Sequence, residues 1–173
     1  PVSSLIELQN GAKPVAMLTG QPEQHYLLSG SGGYGFIAKL GDMVGRVKAG
    51  KVVMILETGE KALPPQPLSA SWLINPEYKI VLADSGNRLL AFPLAELKIM
   101  PKGRGLQLTS LSDGSSLEQT ALIPTAEFTV EIIGRRGGLH NERLRIKDIE
   151  GKRGRKGRLL DTAGRVNAIR PAG

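Results

Sequence analysis

The chain has 173 residues, enough for one sizeable domain, and it contains no cysteine, which excludes a disulfide scaffold and thiolate metal sites. No run of about 18 apolar residues predicts a membrane span. The 22 glycines and 11 prolines mostly separate short apolar runs of β-branched or alternating character, which favours an all-β fold.

The net charge of +7 is concentrated at one end of the sequence. Residues 1–134 contain 11 Lys and Arg against 12 Asp and Glu, whereas residues 135–173 contain 12 against 4. A near-neutral body with one strongly basic segment indicates a local surface for an anionic partner. A solvated charged face is the alternative, and the glycines that lie between the charges weaken it.

In chain order, the first element is an apolar hairpin sequence, Leu5 to Gly11, which recurs at 53–59, 108–114 and 159–164. In the later copies it forms the second half of a longer unit. Residues 1–24 are therefore expected to form the second half of a preceding blade. Either the chain is cut from a longer array, or these residues complete a blade begun elsewhere. We favour the cut, because half a blade leaves unpaired strand edges.

The longer unit then repeats three times. Each copy starts with two apolar strands joined by a tight turn, in residues 25–37, 78–92 and 128–146. A basic glycine loop follows each pair, at 46–51, 102–105 and 151–158. The return strand of the second hairpin then ends in a proline, which cannot extend a ladder, at Pro64, Pro124 and Pro171.

The spacing of the loops gives the architecture. Gly50, Gly103 and Gly154 are separated by 53 and 51 residues. A period of about 50 with four strands per copy predicts a propeller-like array of antiparallel four-stranded blades. The expected blades cover 25–70, 71–124 and the basic terminal segment 125–173, and with the half blade 1–24 they form one domain.

The third loop combines glycine with positive charge, in the order Gly-Lys-Arg-Gly-Arg-Lys-Gly-Arg from Gly151 to Arg158. Glycines let a backbone approach a partner and expose N–H groups, while the side chains supply cations, which suits a phosphate backbone. The candidate DNA-binding residues of this loop are Lys152, Arg153, Arg155, Lys156 and Arg158. The second loop continues the track with Lys102 and Arg104. The first loop, interrupted by apolar residues, has a minor role through Arg46, Lys48 and Lys51.

We expect no catalytic and no metal-binding residues in this chain. Tyr26, Tyr34 and Tyr78 lie in or beside repeat strands, which favours packing roles. His25 and His140 are isolated, without the clustered ligands that a metal site needs.

Two further motifs are assigned to structure. Residues Gly30 to Gly35 match G-x-G-x-x-G, but a strand and not a helix is predicted after the turn, so we reject a dinucleotide site. Trp72 is assigned to the core. The scarcity of exposed aromatic residues argues against single-stranded nucleic acid as a ligand.

The loops at 102–105 and 151–157 resemble the Gly/Arg/Lys box found in the C-terminal domain of the DNA gyrase A subunit, in the degenerate form seen in topoisomerase IV. The turn Gly32-Gly33-Tyr34-Gly35-Phe36 is similar to the Gly-Tyr-Gly turn of those blades. The resemblance covers essentially the whole chain. It implies a β-pinwheel, in which neighbouring repeats exchange strands and a basic outer rim bends DNA. Full-length domains of the family hold about five or six blades, so three and a half imply a fragment or an open array.

The resemblance also implies a function. None of the three loops contains a complete box with its glutamine, which points to weaker DNA bending used in substrate choice, for decatenation and relaxation in chromosome segregation and not for supercoiling. The parent protein would be an ATP-dependent type IIA topoisomerase, an isomerase whose cleavage tyrosine, arginine and Mg²⁺ lie outside this chain. No cofactor is expected here, whereas ATP and Mg²⁺ are expected for the parent.

The partners implied by the resemblance are double-stranded DNA and, for the parent, an A-subunit dimer with an ATPase B subunit in a heterotetramer. A cytoplasmic, nucleoid-associated location follows, with peripheral contact of the parent with the inner membrane as a further expectation. The alternative function is a protein-interaction propeller whose basic blade docks an acidic partner. Arg135 and Arg136, on a separate turn of the last blade, are the candidate residues for such a partner, for example a condensin-type protein.

Overall fold

Eleven β-strands dominate residues 13–47 and 49–172, the part of the chain that the computed structural model describes. In chain order they are β1 (His25–Ser29), β2 (Tyr34–Lys39), β3 (Gln66–Leu68), β4 (Lys79–Asp84), β5 (Arg88–Pro93), β6 (Leu106–Gln107), β7 (Leu117–Ile123), β8 (Glu127–Ile133), β9 (Leu139–Arg145), β10 (Arg158–Leu159) and β11 (Arg165–Pro171). The helical elements are α1 (Leu40–Met43), α2 (Ile146–Ile149) and 3-10 turns at Ala70–Ile74 and Leu94–Glu96. Among the described residues, no helix has the length and apolar character needed to cross a membrane.

Exchanged strands connect three antiparallel sheets, with strand orders β3-β1-β2-β6, β10-β5-β4-β7 and β11-β8-β9. β6 follows the hairpin β4–β5 in sequence but pairs with β2 of the first sheet. In the same way, β10 follows β8–β9 but pairs with β5 of the second sheet. Each of the first two sheets thus receives an edge strand from the next repeat, which confirms the all-β, pinwheel-type architecture expected from the sequence.

The sheets and the sequence repeats do not coincide. Because β6 and β10 cross to the preceding sheet, the predicted blades 25–70, 71–124 and 125–173 delimit repeats of sequence and not individual sheets. Those boundaries stay a prediction. The first half of the half blade expected at residues 1–24 lies outside the described residues, and the described part, 13–24, forms no strand.

The core lies between neighbouring sheets, because the central strands are buried on both faces. In β4 and β5, Ile80, Leu82 and Phe92 pack toward the first sheet. The alternate positions, including Val81 and Leu89, pack toward the third sheet. Side chains alternate between the faces of a strand, so a run of apolar residues without alternation is what such doubly covered strands require.

A parallel bridge leads from each of the first two sheets into a basic loop. Ile37 of β2 pairs with Ile99 just before the second loop, and Ala91 of β5 pairs with Glu150 just before the third. The short helical turns at Leu94–Glu96 and Ile146–Ile149 precede these bridges. The fold therefore holds the second and third basic loops beside the edge of the preceding sheet.

The second hairpin of each unit contains less strand than the sequence predicts. In the first copy only Met54 forms a bridge, with Gly103, since both backbone groups of that glycine bond to Val53 and Ile55 and the loop then turns away. The return strand in that copy lies after Pro64, at β3, because Pro64 and Pro65 interrupt the ladder begun at Ala62. The other two return strands, β7 and β11, end at the predicted prolines.

Candidate nucleic-acid interface

The third basic loop, residues 151–158, is fixed to the preceding sheet through its backbone N–H groups. Gly151 donates to the carbonyl of Ala91 at 2.9 Å, and Gly154 donates to the carbonyl of Leu108 at 2.8 Å. The expectation that the glycines present N–H groups to a partner is therefore wrong at these two positions. Here the glycines hold the loop against the protein.

The carbonyl groups of the same loop also face the protein. The Ser110 hydroxyl donates to the carbonyl of Gly154 at 2.7 Å, and the Thr109 hydroxyl donates to that of Arg155 at 3.0 Å. Gly157 follows, where an added Cβ would lie 2.8 Å from the carbonyl oxygen of Leu89 in β5. With its backbone bonded on one side, the loop turns its long side chains toward solvent.

Three cations of this loop are available to a ligand. Lys152, Arg155 and Lys156 are exposed, and none of them forms an ion pair with any residue in the described ranges. Exposed, unpaired cations on a rigid backbone are suited to phosphate oxygens, since little of the loop must be ordered when a ligand binds.

The other two predicted residues of the loop are partly committed to the protein. The Arg153 guanidinium donates to the carbonyl of Gln107 at 2.7 Å and lies 3.9 Å from a Glu96 carboxylate oxygen. Arg158 donates to the carbonyl of Asp148 at 2.7 Å but remains exposed. These contacts fix the side chains beside the three free cations without removing their charge.

Arg104 of the second loop has a different environment from that expected of a ligand contact. Its guanidinium forms ion pairs with Glu57 and, at 2.8 Å, with Glu60, and it lies 4.1 Å above the centre of the Tyr34 ring. Its side chain is only 26% exposed. Lys102 of the same loop is exposed.

The first loop contributes less. Arg46 is exposed, and the Lys51 ammonium donates to the carbonyl of Asp42 at 2.6 Å. Lys48, which the sequence also assigned to this loop, lies outside the described residues.

Arg135 and Arg136 lie exposed on the turn between β8 and β9, on a different part of the last repeat from the loop. Other cations of that repeat are paired within it: Arg143 with Glu127 at 2.6 Å, Arg145 with Asp148 at 2.9 Å, and Arg170 with Glu131 at 3.3 Å. Of the twelve cations counted in residues 135–173, four are therefore in ion pairs, and eight form none with any residue that the structure describes.

Sequence reasoning missed the acidic partners of Arg104 and Arg153. Glu60 precedes Arg104 by 44 residues, and only the exchanged strand β6 brings the two together. No local pattern marks Glu57, Glu60 or Glu96 as a partner of a basic loop. An alignment of the repeats could have drawn attention to Glu57 and Glu60, because both flank Gly59, the hairpin glycine that recurs as Gly114.

The aromatic residues have packing roles. Trp72 is half-buried against the core and stacks on Tyr78, with ring centres 4.7 Å apart. Tyr26 is buried, and its hydroxyl donates to the carbonyl of Thr19 at 2.8 Å. The turn at Gly30 to Gly35 leads into strand β2, so no helix receives a pyrophosphate there.

Three sheets that exchange edge strands, with a basic loop at each exchange, define the chain as a β-pinwheel domain. Comparison with solved structures agrees. The Escherichia coli ParC C-terminal domain superposes with a TM-score of 0.83 at 24% identity, over 98% of this chain and 69% of that one. The DNA gyrase A C-terminal domain gives 0.71 at 16% identity, over 99% and 58%.

Sequence comparison finds similar proteins along nearly the whole chain. The chain is 63% identical over 169 residues to the A subunit of DNA topoisomerase 4 from Neisseria gonorrhoeae, covering 98% of this chain and 22% of that protein. It is 28% identical over 165 residues to the same protein of Haemophilus influenzae, covering 92% and 21%. No protein-family profile matches.

The chain is therefore homologous to the A subunit of topoisomerase IV, and it shares the fold of the ParC C-terminal domain. It spans about a fifth of the length of the relatives that it matches.

Proposed function

We propose that this chain is a duplex-DNA-binding and DNA-bending domain of a type IIA topoisomerase. The observation that carries the proposal is the loop 151–158, in which Lys152, Arg155 and Lys156 are exposed and unpaired within the described residues while the backbone is bonded to the sheet. Arg153 and Arg158 would contribute from the side. Lys102 would extend the track onto the preceding repeat.

The chemistry of the site favours a phosphate backbone over bases. Arg and Lys side chains can neutralise phosphates, and this loop lacks the aromatic residues on which proteins that bind single strands stack unpaired bases. Each phosphate neutralised lowers the slope of log K against log salt concentration by about 0.9, so five contacts would give a slope of about −4 to −5. Bending a duplex over a site of 20–30 base pairs costs about 1–6 kcal/mol, which the added phosphate contacts must offset.

In the parent enzyme the domain would select among DNA topologies and would not carry out the cleavage chemistry. We propose decatenation and relaxation during chromosome segregation as its setting, with ATP and Mg²⁺ used by the rest of an A-subunit dimer and its B subunit. The location would be cytoplasmic and nucleoid-associated. The homology to topoisomerase IV supports this setting.

A second candidate function rests on Arg135 and Arg136. Both are exposed on the β8–β9 turn, away from the loop, and they could bind an acidic protein surface such as that of a condensin-type partner. This surface and the DNA track use different residues, so the two candidates can be tested separately.

The test compares two triple variants with the same loss of charge. Lys152→Ala/Arg155→Ala/Lys156→Ala removes the free cations of the loop, and Arg135→Ala/Arg136→Ala/Arg165→Ala removes three exposed cations elsewhere in the last repeat. Affinity for a mixed-sequence duplex is measured over a range of salt concentrations. We expect the loop variant to lose affinity uniformly across sequences and to have a slope shallower by about 2.7, from three lost phosphate contacts.

The control variant should retain most of the duplex affinity. If the control variant lost duplex binding while the loop variant bound normally, the proposed DNA track would be refuted. Both variants should keep the melting temperature of the original chain, because exposed side chains contribute little to the core.

A further inference from the structure

The hairpins beside the second and third basic loops occupy equivalent places. In the hairpin beside the second loop, Lys61 N–H donates to the Ser31 hydroxyl at 2.9 Å. In the hairpin beside the third loop, Ser116 N–H donates to the Ser85 hydroxyl at 3.0 Å. The loops are anchored in the same way, because Gly103 N–H bonds to the carbonyl of Val53 as that of Gly154 bonds to the carbonyl of Leu108. The repeats can therefore be compared residue by residue.

Two carboxylates and one aromatic ring surround the Arg104 guanidinium. Glu57 and Glu60 both pair with its guanidinium, and Tyr34 lies beneath it. The two glutamates are held in one turn, in which Glu60 N–H donates to the Glu57 carbonyl at 3.0 Å and the Glu60 carboxylate accepts from Glu57 N–H at 3.0 Å. Two carboxylates facing one guanidinium leave no net positive charge there.

The equivalent positions of the next repeat carry no acid. Ser112 and Ser115 replace the glutamates in the same turn, where Ser115 N–H donates to the Ser112 carbonyl at 2.9 Å. Arg88 replaces Tyr34: each is the first residue of its strand, and the pairs Tyr34–Gln107 and Arg88–Leu159 correspond. The third loop is one residue longer than the second. Two residues, Arg155 and Lys156, separate its glycines Gly154 and Gly157, whereas only Arg104 separates the two glycines of the second loop.

We propose that these facing residues decide which basic loop binds DNA. Glu57, Glu60 and Tyr34 withdraw Arg104 from phosphate and end the DNA track at the second loop. Ser112, Ser115 and Arg88 leave Arg155 and Lys156 free at the third. This inference rests on the proposed DNA-binding function and assigns Glu57 and Glu60 the role of positioning residues that limit the length of the DNA contact.

The test transfers the serines of one repeat into the other. Glu57→Ser/Glu60→Ser should release Arg104 and add one phosphate contact, which means about tenfold tighter duplex binding near 0.1 M salt and a slope steeper by about 0.9. The matched control is Glu23→Ser/Glu77→Ser, which changes the net charge equally at two exposed acids that form no ion pair within the described residues. Adding Arg104→Ala to the first variant should remove the gain.

The reverse exchange gives an independent check. Ser112→Glu/Ser115→Glu should pair with Arg155 or Lys156 and weaken duplex binding about tenfold or more. The control Ser69→Glu/Ser71→Glu, at the exposed N-cap and second residue of the 3-10 turn Ala70–Ile74, should weaken it less. Circular dichroism melting of every variant identifies any that fail to fold.

An equal gain from the Glu23/Glu77 control, a gain that survives Arg104→Ala, or no gain from folded Glu57→Ser/Glu60→Ser would each overturn the inference. These outcomes are distinct from failure of the proposed function. In that case Lys152→Ala/Arg155→Ala/Lys156→Ala would also leave duplex affinity unchanged.

Discussion

At the residue scale, the neighbours of a cation decide whether its charge is available. Arg104 and Arg155 each follow a loop glycine, and the sequence assigns both to DNA. The structure surrounds Arg104 with Glu57, Glu60 and Tyr34 but leaves Arg155 exposed. Sequence alone could predict the cations, but not this difference, because the acids approach Arg104 only through the exchanged strand.

Gly157 offers a stability prediction at the same scale. A Cβ there would lie 2.8 Å from the Leu89 carbonyl oxygen, so Gly157→Ala must displace the loop from β5. We expect a loss of about 1–3 kcal/mol, a fall in melting temperature of several degrees, and weaker duplex binding. The matched control is Gly138→Ala, where an added Cβ meets nothing within 4 Å and the melting temperature should barely change. Equal effects of the two substitutions would contradict the close packing of the loop on β5.

At the element scale, the strands differ in how completely they are covered. β4 pairs with β5 on one side and β7 on the other, whereas β9 pairs only with β8 among the described strands. The apolar runs of β4 and β5 allowed these strands to be predicted from sequence. The two-residue strands β6 and β10 have no such pattern, since their position depends on contacts with the preceding sheet.

Hydrogen exchange should reveal this difference. Backbone N–H groups of Ile80 to Ala83 in β4 should exchange slowest, because both ladders and both faces protect them. In β9, N–H groups directed away from β8 should exchange orders of magnitude faster than those directed toward it. Uniform slow exchange along β9 would show that its outer edge is covered.

At the scale of the whole molecule, the residues that form the core and the residues that carry free positive charge lie in different parts of the structure. The cores between the sheets contain almost only apolar side chains, and the free cations lie on loops that add little to those cores. The repeat period predicted a propeller-like all-β array from the residues alone, and the resemblance of the basic loops to a known family added the strand exchange of a β-pinwheel, whereas the DNA track stays a prediction. The pairing of Arg143 and Arg170 with acids could not be predicted, because it depends on the register of β8 with its neighbours, whereas Arg145 pairs locally with Asp148 three residues further on.

This separation predicts the behaviour of the parent enzyme. With Lys152→Ala/Arg155→Ala/Lys156→Ala introduced, DNA cleavage should persist while the preference among DNA topologies falls, because the role proposed for the loop is to position DNA and not to cleave it. Relative rates on catenated, relaxed and supercoiled circles measure that preference. Loss of cleavage itself, with the protein folded, would show that the loop has another role.

Lysine footprinting tests most directly where DNA lies. The chain is labelled by an amine-reactive acylating reagent with and without a duplex of about 30 base pairs, and the modified lysines are quantified by mass spectrometry. Protection should be strong at Lys152 and Lys156 and weaker at Lys102, while the exposed Lys39 and Lys61 should react equally in both samples. Unchanged labelling of Lys152 and Lys156 under conditions in which the duplex is bound would contradict the account.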